Sequence, residues 1–195
     1  MRFKRLLDVT GAAGGLLFFL PAMTLVSLAI LLEDGLPLFF RQARLGAERR
    51  PFTILKFRSM RDGRITRVGR ILRSTGLDEV PQFINVLRGE MSAVGPRPLT
   101  EADTARLGWS APCYDDRWRV PPGLTGLAQI IGSRASRTSL FLDRRYIARQ
   151  SVWLDVRLIA VSFAINALGK QRVRELLNRR QESAVSVLRR SRYRP

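Results

Sequence analysis

Residues 9–32, VTGAAGGLLFFLPAMTLVSLAILL, carry no charge, and Asp8 and Glu33-Asp34 bound them. As a straight helix this run would measure about 36 Å, more than the roughly 30 Å hydrocarbon core of a bilayer. Length alone predicts a membrane-spanning helix. The flanks point elsewhere, because Arg2, Lys4 and Arg5 precede the run and Arg41, Arg44, Arg49 and Arg50 follow it. Basic flanks favour the cytoplasmic side, so both ends ask for the same face. Pro21 lies mid-run, where its missing N–H and its ring kink a helix. A re-entrant helix that enters, bends at Pro21 and returns satisfies both observations, and on these residues alone a spanning helix with a proline is an equal alternative. The small residues from Gly11 to Gly15 would let its first half pack closely on a neighbour. A cleavable signal fits poorly, since its apolar region is shorter.

At 195 residues the chain can form one domain with a real core. Basic residues number 34 against 16 acidic, a net charge of +18, and only Lys4, Lys56 and Lys170 are lysines. Nearly all the positive charge is therefore guanidinium, a planar fork matched to phosphate. Such an excess predicts an anionic partner: nucleic acid, anionic lipid or a phosphorylated substrate. There is no histidine, so acid–base and metal chemistry falls to carboxylates, hydroxyls, lysine or a hard cation. The lone Cys113 excludes an internal disulfide, and no Cys/His spacing can build a zinc site. A reducing, cytoplasm-facing location fits this usage.

Beyond the apolar run, Pro37 to Gly46 and Pro51 to Phe57 read as two strands of a hairpin. Arg61, Arg64, Arg67, Arg70 and Arg73 recur every third residue, with Val68, Ile71 and Leu72 on the other side of a helix starting near Thr66. That arginine face suits solvent and anionic lipid head groups equally. Thr100 to Leu107 reads as a short helix, Ser139 to Gln150 as a longer one, and Trp153 to Leu168 as an apolar helix of core or interface. The basic stretch from Lys170 onward reads as a helix fraying into a tail.

Adjacent carboxylates stand in Leu77-Asp78-Glu79-Val80-Pro81-Gln82. Val80, Phe83, Ile84 and Leu87 follow the i, i+3, i+4, i+7 pattern, which predicts an amphipathic helix over 78–88 with Pro81 in its first turn. Asp78 and Glu79 then sit at a helix N-terminus, where free N–H groups and the macrodipole favour the ionised form. A nucleophile or metal ligand needs that form, and so does a plain helix cap with an arginine partner. Other segments have the character of ligand-contacting loops. Lys56-Phe57-Arg58-Ser59-Met60 brings two cations to a strand end. Gly95-Pro96-Arg97-Pro98 presents Arg97 with little backbone freedom. Pro122-Gly123-Leu124-Thr125-Gly126 permits close backbone approach. Asp143, Tyr146 and Asp155 punctuate the apolar C-terminal half.

In this order, from about Met1 to Leu168, these segments resemble the bacterial sugar transferase family, the monotopic polyprenyl-phosphate phosphoglycosyl transferases. The resemblance rests on Phe40-Arg41-Gln42, Lys56 to Met60, Leu77 to Gln82, Met91 to Pro98, Pro122 to Gln129, and Asp143 with Tyr146 and Asp155. With the elements read above, the expected fold is mixed α/β and mainly helical, with a catalytic domain over 35–169 holding a small hairpin and amphipathic interface helices and a basic helix or tail over 170–195; to this the resemblance adds a re-entrant helix bent at Pro21 over 1–34. It implies an Asp78-Glu79 catalytic dyad that also holds Mg²⁺. The implied substrate-binding set is Arg73 and Arg97, with Lys56, Arg58, Gly123, Thr125, Gln129 and Arg134. The implied reaction moves a sugar-1-phosphate from a UDP-sugar to undecaprenyl phosphate through an aspartyl intermediate, releasing UMP, on the cytoplasmic face of the bacterial inner membrane. Anionic lipid is an expected partner, a homodimer is allowed for, and no nucleic acid is expected. Two departures stand out: Gly132-Ser133-Arg134 replaces the usual Gly-Arg-Asn, and Leu20-Pro21 replaces the frequent Ser-Pro. The competing readings are a non-enzymatic basic membrane-surface or nucleic-acid-binding protein, and a membrane pyrophosphate hydrolase.

Overall fold

The apolar run forms one helix. In the computed structural model, which describes residues 2–132 and 135–168, α1 (Arg2–Asp34) is 33 residues long and helical through Pro21. Pro21 removes one N–H from the ladder without ending it, as prolines in apolar helices can. One turn on, the Thr24 hydroxyl donates to the Leu20 carbonyl at 3.0 Å, a back-bond of the kind that bends helices.

β1 (Phe39–Leu45) and β2 (Pro51–Phe57) pair antiparallel as expected, with Phe39 opposite Phe57 and Leu45 opposite Pro51. A small ribbon follows, β3 (Met60–Arg61) with β4 (Arg64–Ile65). α2 (Arg67–Thr75) starts at Thr66, whose hydroxyl accepts from the Gly69 N–H at 2.9 Å. The arginine stripe is thus split: Arg61 and Arg64 lie on the ribbon, and only Arg67, Arg70 and Arg73 lie on the helix. A period of three continued across a turn marked more helix than exists. Ile71 is 63% exposed while Leu72 is 1% exposed, because adjacent residues stand about 100° apart round a helix.

α3 (Gln82–Arg88) begins later than the expected 78, since Leu77–Glu79 form a separate 3-10 turn before it. Pro81 has helical dihedrals and closes that junction. β5 (Ser92–Val94) then pairs in parallel with β6 (Gly123–Thr125). The crossover between them carries α4 (Glu101–Arg106), with a Thr100/Asp103 capping box, and a 3-10 segment, Pro112–Trp118. α5 (Leu127–Ile131), α6 (Ser136–Ala148) and α7 (Val152–Leu168) complete the described chain. Arg134 and the basic tail over 170–195 lie outside the described residues.

Both ends of α1 are fastened to this one domain. Near its start, Lys4 Nζ donates to Asp155 Oδ2 and to the Val94 carbonyl, Arg5 donates to the carbonyls of Val86 and Leu87, and Asp8 Oδ1 accepts from the Ala93 N–H. Near its end, Glu33 accepts from the N–H groups of Arg67 and Val68, while Arg58 donates to the Asp34 and Gly35 carbonyls at 3.0 and 2.7 Å. Between these anchors Phe19 stacks on Phe83, and Ile30 joins Phe57 and Leu72 in a buried cluster. The opposite face of the helix shows Leu17, Phe18, Leu25, Leu28 and Leu32, each more than half exposed.

Candidate active site

Gly76 ends α2 with φ of 74°, a left-handed dihedral that glycine adopts at no steric cost, and the 3-10 turn carrying Asp78 and Glu79 starts there. The turn faces the end of β2, where Lys56 Nζ lies 2.5 Å from Glu79 Oε1. Asn85 locks this arrangement from below. Fully buried, it accepts from the Leu55 N–H and donates to the Thr53 carbonyl and Glu90, tying α3 to β2. The residues flanking the dyad, Leu77 and Val80, line one small apolar crevice with Phe19, Ala22, Met23 and Val26 of α1. The carboxylates therefore stand beside the stretch of apolar helix that contains Pro21.

Asp78 is half-buried. Desolvation first, and the neighbouring Glu79 charge second, push its carboxyl above the ordinary carboxylate range, while the Lys56 and Arg73 cations pull it back. A helix N-terminus was expected to favour the ionised form; α3 instead begins at Gln82, and burial and a like charge act on Asp78 in the opposite direction. Such a carboxylate gains most from an added cation or a cationic partner. Arg73, in the last turn of α2, is exposed, and its Nε donates to Ser59 Oγ at 2.9 Å.

The other expected residues fall in three places. Arg58 holds the carbonyls at the end of α1, so the structure accounts for it without a ligand. Gly123 and Gly95 lie back to back: a Cβ on Gly123 would come within 2.0 Å of Gly95 N, and one on Gly126 within 2.2 Å of Gly95 O. The close approach that these glycines permit is made by their own backbones. Thr125 belongs to this junction through its carbonyl, which accepts from the Gly95 N–H at 2.9 Å. Gln129 sits one turn into α5, its Oε1 3.2 Å from the position of a Gly126 Cβ.

Arg97 is exposed at the tip of this junction, near Arg44, whose guanidinium is itself destabilised by burial and by the Arg97 charge. Residues that sequence reasoning passed over hold it there. Arg117 donates from Nη2 to the Arg97 carbonyl at 2.8 Å and from Nε to Asp143 at 2.9 Å, and it is stacked between Trp109 and Trp118. Arg44 donates to the Pro98 carbonyl, to Asp103 and to Gln42. The spread of tryptophans around Arg117 was the available signal. Tyr146 and Asp155 join Lys4 in a buried network, with Tyr146 donating to Asp155 at 2.7 Å, so these two serve the seat of α1.

No group of three acidic, cysteine or histidine side chains converges among the described residues. Asp78 with Glu79 is a two-carboxylate set. It fits a hard cation that takes its remaining ligands from water and substrate phosphates, as Mg²⁺ usually does, rather than a protein cage.

A half-buried and an exposed carboxylate, flanked by cations and set beside an apolar helix anchored at both ends, form the candidate site. The chain belongs to the bacterial sugar transferase family, whose model matches residues 1–168. It is 42% identical over 177 residues to a Caulobacter vibrioides protein named UDP-glucose:undecaprenyl-phosphate glucose-1-phosphate transferase, a match covering 80% of this chain and 66% of that one. Over 175 residues it is 37% identical to an Aeromonas hydrophila UDP-N-acetylgalactosamine-undecaprenyl-phosphate N-acetylgalactosaminephosphotransferase, covering 80% and 41% of the two chains. The uncharacterized sugar transferase EpsL of Bacillus subtilis is 38% identical over 181 residues, covering 83% and 86%. The chain thus spans just under two thirds of the first relative, under half of the second and most of the third.

Proposed function

We propose that this protein transfers a sugar-1-phosphate from a UDP-sugar to a polyprenyl phosphate such as undecaprenyl phosphate, on the cytoplasmic face of the inner membrane. The observation that carries this is that Asp78-Glu79, with Lys56 and Arg73 as cationic neighbours, is flanked by Leu77 and Val80, which pack on either side of Pro21 in a long apolar helix. A soluble nucleotide sugar reaches the dyad from the domain side, and a lipid-borne phosphate reaches it along the exposed face of α1. Seating the dyad beside the apolar helix lets a soluble substrate and one confined to lipid meet at one site.

In the first step a carboxylate oxygen of Asp78 attacks the β-phosphorus, and the bond from that phosphorus to the bridging oxygen breaks. UMP leaves with the oxygen and its electron pair. In the second, an oxygen of the polyprenyl phosphate attacks the same phosphorus, the acyl-phosphate bond breaks, and the Asp78 carboxylate is restored. Arg73 and Arg97 are the guanidinium donors for the charge that develops on the phosphoryl oxygens. Asp78 and Glu79 would hold Mg²⁺, which when bound shields phosphate charge. Lys56 holds Glu79 and, by its charge, favours the ionised nucleophile.

The re-entrant reading of α1 draws support from its two anchors. A helix whose first and last turns grip one domain does not carry that domain on one side while ending on the other. Single cysteines placed at Phe3 and at Leu36 in a Cys113→Ser background should react with an impermeant thiol reagent from the same side of sealed vesicles. Labelling from opposite sides would refute it.

The chemical test uses the purified protein with UDP-sugars and Mg²⁺ but no lipid acceptor. UMP release and a phosphosugar mass on Asp78 are expected. Turnover with lipid present but no adduct, or an Asp78→Asn variant with near-normal turnover, would overturn the covalent mechanism.

A further inference from the structure

Ser59 meets α2 three times. Its carbonyl accepts from the Thr66 N–H at 3.2 Å, at the cap of the helix. Its backbone lies so close to Gly69 that a Cβ there would come within 2.1 Å of Ser59 O. Its hydroxyl accepts from Arg73 Nε at 2.9 Å. Positions 66, 69 and 73 follow the i, i+3, i+7 spacing of a single helix face. The contacts therefore run up one side of α2 from its cap to its last turn. Ser59 itself is 7% exposed, although it lies between exposed Arg61 and the strand end that bears Lys56.

Arg73 has the opposite character, being an exposed side chain with no ion-pair partner among the described residues. A free arginine samples many rotamers, and ordering it costs up to about 2 kcal/mol of side-chain entropy. An acceptor on Nε fixes the plane of the guanidinium and leaves both terminal nitrogens available. Those nitrogens make the two parallel bonds of a fork on a phosphate. Nothing else among the described side chains accepts from this guanidinium.

We propose that Ser59 is a positioning residue: its hydroxyl holds Arg73 by Nε so that the free edge of the guanidinium is presented to the phosphates at Asp78. This rests on the phosphate-binding role given to Arg73 above. The Gly69 contact sets the distance, because any side chain there would lift α2 off Ser59 and carry Arg73 away. Lys56 and Ser59, at the two ends of Lys56-Phe57-Arg58-Ser59, then serve one site: the first holds Glu79 and the second aims Arg73.

A double-mutant cycle on the full-length protein tests this, reading UMP release from UDP-glucose or UDP-N-acetylgalactosamine, whichever the wild type consumes, with undecaprenyl phosphate. Ser59→Ala should lower kcat/KM about tenfold, with the thermal unfolding midpoint in detergent within about 3 °C of wild type. Ser59→Cys, which keeps the volume but is a weak acceptor, should fall between the two. In an Arg73→Met background, Ser59→Ala should cause no further loss. Additive losses would overturn the positioning role, since a merely structural serine acts whatever stands at position 73. Wild-type turnover by Arg73→Met would instead overturn the role of Arg73, and no UMP release by the wild-type protein would overturn the transferase reading.

Discussion

The ion pair of Arg117 with Asp143 gives the sharpest energetic prediction. Its side chains are 2% and 4% exposed, and Nε lies 2.9 Å from Oδ2. Burial pushes the Asp143 carboxyl up and the Arg117 guanidinium down, and in each the mutual attraction only partly opposes it. Each charge is thus tolerated because of the other. Asp143→Ala leaves a guanidinium packed on Trp109 and Trp118 with, among the described residues, only the Arg97 carbonyl as a hydrogen-bond acceptor. Stranding a buried charge costs about 3–5 kcal/mol. Taking about 3.5 kcal/mol and roughly 3 °C per kcal/mol for a domain of this size, the unfolding midpoint should fall by ~10 °C. Replacing both partners, Arg117→Met with Asp143→Leu, strands no charge and should cost within about 1 kcal/mol of nothing. Both changes are read by circular dichroism melts in one detergent. UMP release should fall in the double variant too, because the Arg97 carbonyl loses its donor. A double variant less stable than Asp143→Ala would refute the reasoning, and so would a single-variant loss below about 1 kcal/mol.

Removing Lys56 should move the acid limb of activity. The Lys56 cation pulls the Asp78 carboxyl down, so Lys56→Met lets it rise, and the limb of kcat/KM should shift to higher pH; an unmoved limb would contradict the pairing. The raised Asp78 carboxyl also binds its proton more readily folded than unfolded, so stability falls as pH rises from the ordinary carboxylate range through the raised value. Asp78→Asn should therefore melt above wild type at pH 7, the gap closing below the ordinary range, while an equal or lower midpoint at pH 7 would show the carboxylate to be well stabilised. Gly123→Ala should cost at least about 3 kcal/mol, since its Cβ would strike the Gly95 backbone at 2.0 Å rather than a movable side chain. A melt within about 1 kcal/mol of wild type would remove the close β5–β6 junction as its cause.

What could be read from the residues was largely local. The hairpin followed from two extended runs and a turn, and the start of α2 from Thr66, because capping needs only residues three apart. Family order marked Asp78, Glu79, Lys56 and Arg73, and the fold gathers these four. What stayed hidden has one physical source. Burial and partner choice depend on packing that no spacing encodes, so the ionisation of Asp78, the backbone partners of Arg58 and the mutual contact of Gly95 with Gly123 were hidden. Pro81 permitted a helix starting at 78, and the chain used a 3-10 turn instead. Ser59 stood in a quoted segment with nothing in its surroundings to single it out, since its partner lies 14 positions away across a ribbon and a cap.

The anchoring of α1 has a consequence for how the protein is made. Lys4 and Asp155 are 151 positions apart, so the first helix leaves the ribosome long before the carboxylate that receives its lysine. The far anchor, through Arg58, Arg67 and Val68, is available much sooner. The docking of α1 is therefore vectorial: its C-terminal end can be seated first, Arg5 and Asp8 engage once residues 86–93 have emerged, and the Lys4 bond closes only after α7 has begun to emerge.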